Sequence, residues 1–178
     1  MEKKNNCSVI IQVRYNSKRF EGKVLKKIGN KTVLEILIER LKQSKLINQI
    51  IVACPNSKNN KKIVNFCKQK KIKYFSGSEN NLISRYYFAA KKYNIKNIIR
   101  VTSDCPLLDI NYLNILIKMF FKKKSDYASN VIKPSFPDGM DIEIFKFDIL
   151  KDRYLISNDK YEKEHVTTHF RNSKSYKR

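Results

Sequence analysis

Residues 8–14 read SVIIQVR, a short apolar run rich in β-branched side chains and bounded by polar residues. Such a run predicts a buried β-strand. Similar runs recur along the chain and alternate with stretches whose apolar residues have helical spacing. The predicted strands are 8–14, 49–54, 72–75, 97–102, 127–132 and 141–147, and the predicted helices are 32–44, 58–71, 80–93 and 110–121. The alternation predicts βαβ units, and hence a largely parallel sheet with helices on both faces.

The helix predicted at 32–44 has the clearest signals. Its apolar residues fall on one face, as an amphipathic helix requires; they are Val33, Leu34, Leu37, Ile38 and Leu41. Thr32 is placed to cap the amino terminus, and Glu35, three residues later, completes a capping box.

Length and composition indicate a folded domain with a sizeable core. The 178 residues fit one domain, which we expect to span 1–178. Hydrophobic residues make up 42% of the chain and aromatic residues 11%, which argues against disorder.

Two further features indicate a cytoplasmic protein. Cys7, Cys54, Cys67 and Cys105 form no C-x-x-C pair and have no histidine at zinc spacing, so we expect reduced, buried thiols. No stretch approaches the ~20 apolar residues that cross a bilayer, and the first apolar run is too short for a secretory signal. We therefore expect no membrane span.

The charge balance is strongly basic, with 38 Lys and Arg against 16 Asp and Glu, a net charge of +22. Such a balance favours a polyanionic partner, and a nonenzymatic RNA- or DNA-binding domain stays an alternative. The chain is also rich in Asn and Ile, whose codons, like those of Lys, are AT-rich, so genome composition explains much of the excess. The basic residues are scattered rather than interleaved with stacking aromatics, which makes a nucleic-acid partner the weaker interpretation.

Ligands of parallel α/β sheets bind beyond the carboxyl ends of the strands, and a basic segment follows the first predicted strand. Residues 14–23, RYNSKRFEGK, carry four cations, an aliphatic hydroxyl and a glycine. Arg14, Arg19 and Lys23 have the charge to surround a triphosphate, and Gly22 would allow close backbone approach to phosphate oxygens. The alternative is a solvated basic loop. The glycine positions exclude a G-x-G-x-x-G fingerprint, and a P-loop is also missing.

Asp104 directly follows the strand predicted at 97–102, at the same sheet edge. A lone carboxylate there suits Mg²⁺, which takes one or two carboxylates together with nucleotide phosphates and water. The alternative is a turn aspartate that caps backbone amides. Cys105 has no nearby base and is interpreted as a packing residue.

Other polar residues are weaker candidates. Arg100 lies inside an apolar strand and needs an acidic partner or a phosphate, with a structural ion pair favoured. Asp138, Asp141 and Glu143 surround a Pro-Asp-Gly turn and suit sugar hydroxyls or a metal, although the turn alone explains Asp138. His165 is a candidate to orient the acceptor or act as a base, with a helix-end or core histidine equally compatible.

Residues 12–25, QVRYNSKRFEGKVL, resemble the amino-terminal signature of sugar cytidylyltransferases. The likeness continues, in the family's order, through 34–41 (LEILIERL), 84–87 (SRYY), 99–107 (IRVTSDCPL), 137–143 (PDGMDIE) and 164–167 (EHVT). The nearest branch is the SpsF-type spore-coat polysaccharide proteins, which are related to the CMP-KDO and acylneuraminate synthetases. The resemblance implies a three-layer αβα, Rossmann-like nucleotide-diphospho-sugar transferase fold.

The resemblance also implies a reaction and a site. The partners would be CTP and a sugar or sugar phosphate, the cofactor Mg²⁺ on Asp104, and the product a CMP- or CDP-activated sugar for surface polysaccharide. The residues implied to bind the nucleotide are Arg14, Ser17, Arg19, Gly22, Lys23 and Arg85, and those implied in catalysis are Arg14, Lys23 and Asp104. For Arg85 an exposed helix arginine is the alternative. A homodimer is expected only by resemblance.

The match has three departures. Glu21 replaces the usual proline of the signature, and Asn16 stands where glycine is common. The family's later Val-Asp-Thr-like turn, which supplies a second metal-binding aspartate, is missing. We expect the chain to lack the family's carboxy-terminal segment, and the alternative is that metal binding is completed otherwise. A nucleotide-sugar-dependent glycosyltransferase on a related scaffold stays an alternative.

Overall fold

The computed structural model describes residues 6–17, 20–132, 136–157 and 160–178. Within these residues the strands are β1 (Cys7–Gln12), β2 (Lys27–Ile28), β3 (Lys31–Thr32), β4 (Ile50–Pro55), β5 (Lys73–Gly77), β6 (Asn97–Thr102), β7 (Tyr127–Ser129) and β8 (Glu143–Lys146). The helices are α1 (Val33–Lys42), α2 (Lys61–Gln69), α3 (Leu82–Lys92), α4 (Ile110–Lys122), α5 (Phe147–Ile156), α6 (Lys160–Glu164) and α7 (Thr168–Asn172). Short 3₁₀ turns lie at Lys23–Leu25 and Lys58–Asn60.

The central sheet has six described strands in the order β5-β4-β1-β6-β8-β7. The first four are parallel, whereas β8 runs antiparallel to β6 and β7 antiparallel to β8. The sheet is therefore mostly parallel, as predicted. A separate hairpin, β2–β3, follows the first 3₁₀ turn.

Helices cover both faces of the sheet. On one face α1, α2 and α4 pack through apolar side chains such as Leu37, Ile63 and Ile117. On the other, α3, α5 and α7 pack through Tyr86, Leu150 and Phe170. The structure confirms the three-layer α/β architecture. It also buries all four cysteines, and burial raises the pKa of Cys7 and of Cys67 to about 12.

The capping box of α1 is confirmed. The Thr32 hydroxyl accepts a hydrogen bond from the backbone N–H of Glu35, and the Glu35 carboxylate accepts one from the Thr32 N–H. Two strand predictions were too long. The strand predicted at 127–132 ends at Ser129, whose hydroxyl accepts the Val131 N–H and turns the chain. The strand predicted at 141–147 is only Glu143–Lys146.

Three helices and one hairpin were not predicted: α5, α6, α7 and β2–β3. Helix α5 begins at Phe147, immediately after β8, and this residue falls within the predicted strand 141–147. Among the described residues, none of the helices combines the length and apolar composition needed to cross a membrane.

Candidate active site

A cavity of about 960 Å³ opens at the carboxyl ends of the parallel strands. Its lining comes from the segments after β1, β4, β5 and β6 and from the end of α6. The segments after β1 and β6 are those that the sequence placed at this edge. They lie side by side because β1 and β6 are neighbours, and the Ser103 N–H donates to the Gln12 carbonyl.

Lys23 and Asp104 both line this cavity and form an ion pair. The Lys23 Nζ donates to the Asp104 Oδ2 at 2.6 Å, although the residues are 81 positions apart. Their side chains are 28% and 44% exposed, so water and ligands can reach both. The predicted juxtaposition of a cation from the first loop and the carboxylate after β6 is therefore confirmed.

The surroundings of Asp104 favour the charged form of its carboxyl group. Partial burial works to raise its pKa, but hydrogen bonds from Lys23 and Thr102 outweigh burial and leave the pKa below its usual value. Its neighbour Cys105 is buried, and its Sγ lies 3.0 Å from the Thr102 hydroxyl. Burial raises the pKa of the Cys105 thiol, which supports its interpretation as a packing residue.

The other candidate residues of the basic loop differ in where they lie. Arg14 and Ser17 line the cavity beside Lys23. Gly22 adopts φ +66°, and a Cβ there would lie 2.9 Å from the Tyr15 side chain. The glycine is therefore required by the turn itself, a reason that the sequence argument missed. Arg19 lies outside the described residues.

Arg85 lines the cavity but is not the exposed helix arginine that the sequence left possible, since it is only 4% exposed. Its guanidinium donates to the carbonyls of Ser78 and Glu79, in the turn before α3. Burial lowers its pKa. In this structure Arg85 holds the cavity wall at the β5–α3 turn.

The three clustered carboxylates are not part of the described cavity lining. Glu143 is 1% exposed and accepts hydrogen bonds from Arg100, Tyr127 and Arg171. The structural ion pair expected for Arg100 is confirmed, and Arg100 itself forms part of the cavity floor. Asp138 and Asp141 are exposed. Sugar binding by these carboxylates stays a prediction.

His165 and Glu164 form the wall contributed by α6. The His165 ring packs against Tyr161 with ring centroids 4.5 Å apart, and its backbone N–H caps α6 by donating to the Tyr161 carbonyl. The structure thus brings His165 to the same cavity as Lys23 and Asp104. His165 therefore lies at a helix end and also lines the cavity, two positions that the sequence analysis treated as alternatives.

Several lining residues were missed by sequence reasoning: Gln12, Asn60, Glu79, Asn80 and Thr102. Gln12 and Thr102 are the last residues of β1 and β6, so their place at the strand ends was an available signal. Asn60 and Asn80 belong to segments after β4 and β5 that carry no distinctive composition.

Within the described residues, a metal ion at Asp104 would depend on ligands from outside the protein to complete its coordination. The described residues contain no group of three or more His, Cys, Asp or Glu side chains able to enclose a metal ion. Mg²⁺ does not require such a group when nucleotide phosphates and water complete its shell. A half-exposed carboxylate with a lowered pKa, beside an open cavity of about 960 Å³, therefore fits Mg²⁺.

Comparison with known proteins identifies the family. A family model described as Cytidylyltransferase matches residues 8–178. An uncharacterized protein of Methanocaldococcus jannaschii is 40% identical over 160 residues, covering 89% of this chain and 64% of that protein. The spore coat polysaccharide biosynthesis protein SpsF of Bacillus subtilis is 30% identical over 174 residues, covering 94% of this chain and 71% of SpsF.

A solved cytidylyltransferase structure from Leptospira borgpetersenii superposes with a TM-score of 0.88 at 34% identity, covering 93% of this chain and 71% of that one. This chain thus spans 64% of the length of the archaeal relative and 71% of each of the other two proteins. By sequence and by structure, the chain belongs to the cytidylyltransferase family.

Proposed function

We propose that this chain binds CTP in the edge cavity and transfers the cytidylyl group to a sugar or sugar phosphate, with release of pyrophosphate. The observation that carries the proposal is the ion pair of Lys23 and Asp104 at the carboxyl edge of the sheet. The pair supports the proposal because a cation able to bind phosphate and a carboxylate able to bind a metal ion share one water-accessible cavity. Family membership supports the choice of CTP.

The bond changes in this reaction are simple. An acceptor oxygen attacks the α-phosphorus of CTP, the bond from that phosphorus to the bridging oxygen breaks, and pyrophosphate leaves. The acceptor hydroxyl loses its proton, and His165 on the α6 wall would receive it. With a sugar phosphate as acceptor, the attacking oxygen is already ionised and the product is a CDP-sugar.

The chain's own residues would act mainly by positioning and by charge stabilisation, as is general for transfer at phosphorus. Arg14 and Lys23 would neutralise the charge that moves onto pyrophosphate as it leaves. Asp104 would hold Mg²⁺, with Lys23 turning from the carboxylate to the phosphates. When bound, Mg²⁺ neutralises phosphate charge and orients the phosphate oxygens.

The acceptor is proposed by class only. SpsF of B. subtilis is named for spore coat polysaccharide biosynthesis. We infer that the acceptor here is likewise a sugar activated for surface polysaccharide assembly.

Incubation with each of four NTPs, Mg²⁺ and a panel of sugars and sugar phosphates tests the proposal through pyrophosphate release. We expect release with CTP and one acceptor, and its loss in Asp104→Ala. Asp152→Ala, which changes an exposed carboxylate of α5, is the matched control and should retain full activity.

Release of a nucleoside mono- or diphosphate from a nucleotide sugar would instead identify a glycosyltransferase. A thermal-shift panel of the same NTPs checks binding independently of the acceptor.

A further inference from the structure

Asn60 is a buried polar residue at the cavity wall that belongs to no recognised motif. It ends the 3₁₀ turn Lys58–Asn60 after β4 and is only 1% exposed. Its Oδ1 accepts the Tyr15 backbone N–H at 2.9 Å, and its Nδ2 donates to the Ser57 hydroxyl at 2.7 Å. Both halves of its amide are therefore bonded to protein groups, one of them in the basic loop 45 positions earlier.

Tyr15 in turn closes the basic loop. Its carbonyl accepts the Gly22 N–H at 2.8 Å, which brings the two ends of the loop together. Its ring lies where a side chain at Gly22 would be, so Tyr15 and Gly22 are in direct contact. Gly22 caps the 3₁₀ turn whose first residue is Lys23. The direction of the Lys23 side chain therefore depends on where Tyr15 is held.

The segment around Asn60 holds Tyr15 at a second point. Lys62 Nζ lies 4.5 Å from the centre of the Tyr15 ring and donates to its hydroxyl at 3.1 Å. That contact is exposed, and an exposed cation–π contact is worth only about 0.5–1 kcal/mol. The Asn60 contact differs because losing it leaves a half-buried N–H without its acceptor, which costs more than an exposed bond.

We propose that Asn60 is a positioning residue of this enzyme, which fixes the backbone position of Lys23 beside the nucleotide cavity through Tyr15 and Gly22. The inference rests on the proposed function, because the group positioned is the cation assigned to pyrophosphate. Asn60 has no described hydrogen bond to Lys23 or Asp104, so its effect would pass through the backbone hydrogen bond between Tyr15 and Gly22.

Amide hydrogen exchange and nucleotide binding test the proposal together. In Asn60→Ala we expect the exchange of the Tyr15 and Gly22 amides to accelerate about tenfold and the Kd for Mg²⁺·CTP to rise about tenfold, the equivalent of one lost hydrogen bond. Asn60→Asp keeps an acceptor for Tyr15 and should restore slow exchange at both amides. Asn56→Ala changes an exposed side chain of the same segment and should alter neither quantity.

Two results would overturn the proposal. One is unchanged exchange at Tyr15 and Gly22 in Asn60→Ala. The other is equal acceleration at Val9 and Ile11 in β1, which would show general destabilisation rather than a local role. If the wild-type protein binds no CTP, the proposed function fails, whereas local protection of Tyr15 and Gly22 by Asn60 would still support the loop-fixing contact.

Discussion

Two ion pairs include residues that line the cavity, and water reaches them very differently: the rim pair is Lys23–Asp104, and the floor pair is Arg100–Glu143, of which only Arg100 lines the cavity. The side chains of Lys23 and Asp104 are 28% and 44% exposed, whereas those of Arg100 and Glu143 are 18% and 2% exposed. An exposed pair contributes about 0–1 kcal/mol, so a ligand can replace either partner. A buried pair is expensive to break because the remaining charge has no water. The rim pair therefore suits exchange with phosphate and metal, and the floor pair suits permanent support of the β6–β8 pairing.

Removing the floor carboxylate should have the largest effect on stability. Glu143→Ala leaves Arg100 and Arg171 without their shared partner, and we expect it to lower the free energy of unfolding by about 3–5 kcal/mol. Urea denaturation measures this change. Asp104→Ala is the comparison and should lower the same quantity by less than about 1 kcal/mol. Equal losses in the two variants would remove the distinction between floor and rim.

Removing the rim cation should affect activity instead of stability. We expect Lys23→Met to reduce the rate of pyrophosphate release by roughly 100-fold, the size of effect that follows loss of one preorganised charge-stabilising group. Its urea midpoint should match that of the wild type. Lys26→Met, which removes an exposed lysine three residues later, should keep full activity. A similar loss of activity in both variants would show that only the general positive field matters.

The acid limb of the stability curve should depend on the floor pair. Burial works to raise the pKa of Glu143, but the charge of Arg100 and the Tyr127 hydroxyl outweigh it and leave the pKa below the usual 4.5. A lowered pKa in the folded state means that the stabilisation is present above pH 4.5 and is lost as the pH falls through the folded value. We expect Glu143→Gln to flatten this loss in urea titrations at pH 2–5. An unchanged slope would place the acid sensitivity in other carboxylates.

The rim could be predicted from sequence because its residues follow strands that are visible in the sequence. β6 was predicted with its observed bounds, and β1 to within two residues. Parallel neighbours bring their carboxyl ends to one edge, so Lys23 and Asp104 could be expected to meet.

The floor and the supports of the loop could not be predicted in the same way. Asp138, Asp141 and Glu143 are close in sequence, but the strand buries only the last of them, and the partner of Glu143 depends on strand order. Asn60 is one of many asparagines, and only the tertiary fold brings its Oδ1 to the Tyr15 N–H. Helix α5 was missed because few of its residues are buried, while Tyr154 stacks on Tyr87 from α3 with ring centroids 4.2 Å apart.

The smallest effect tests whether Lys23 and a metal ion compete for the same carboxylate. With Lys23 Nζ on the Asp104 Oδ2, a divalent ion that approaches this carboxylate meets a neighbouring positive charge and one occupied oxygen. Lys23→Met should therefore tighten Mn²⁺ binding to the nucleotide-free protein by roughly two- to fivefold, the value of an exposed ion pair, as measured by electron paramagnetic resonance. Lys26→Met removes the same net charge but leaves the Lys23–Asp104 ion pair in place. Its Mn²⁺ affinity therefore gives the part of the change that comes from net charge alone. Equal Mn²⁺ affinities in the two variants would mean that the loss of one positive charge explains the whole effect. A larger gain in affinity in Lys23→Met, abolished by adding Asp104→Asn, would show that the lysine competes with the metal ion for Asp104 in the nucleotide-free protein.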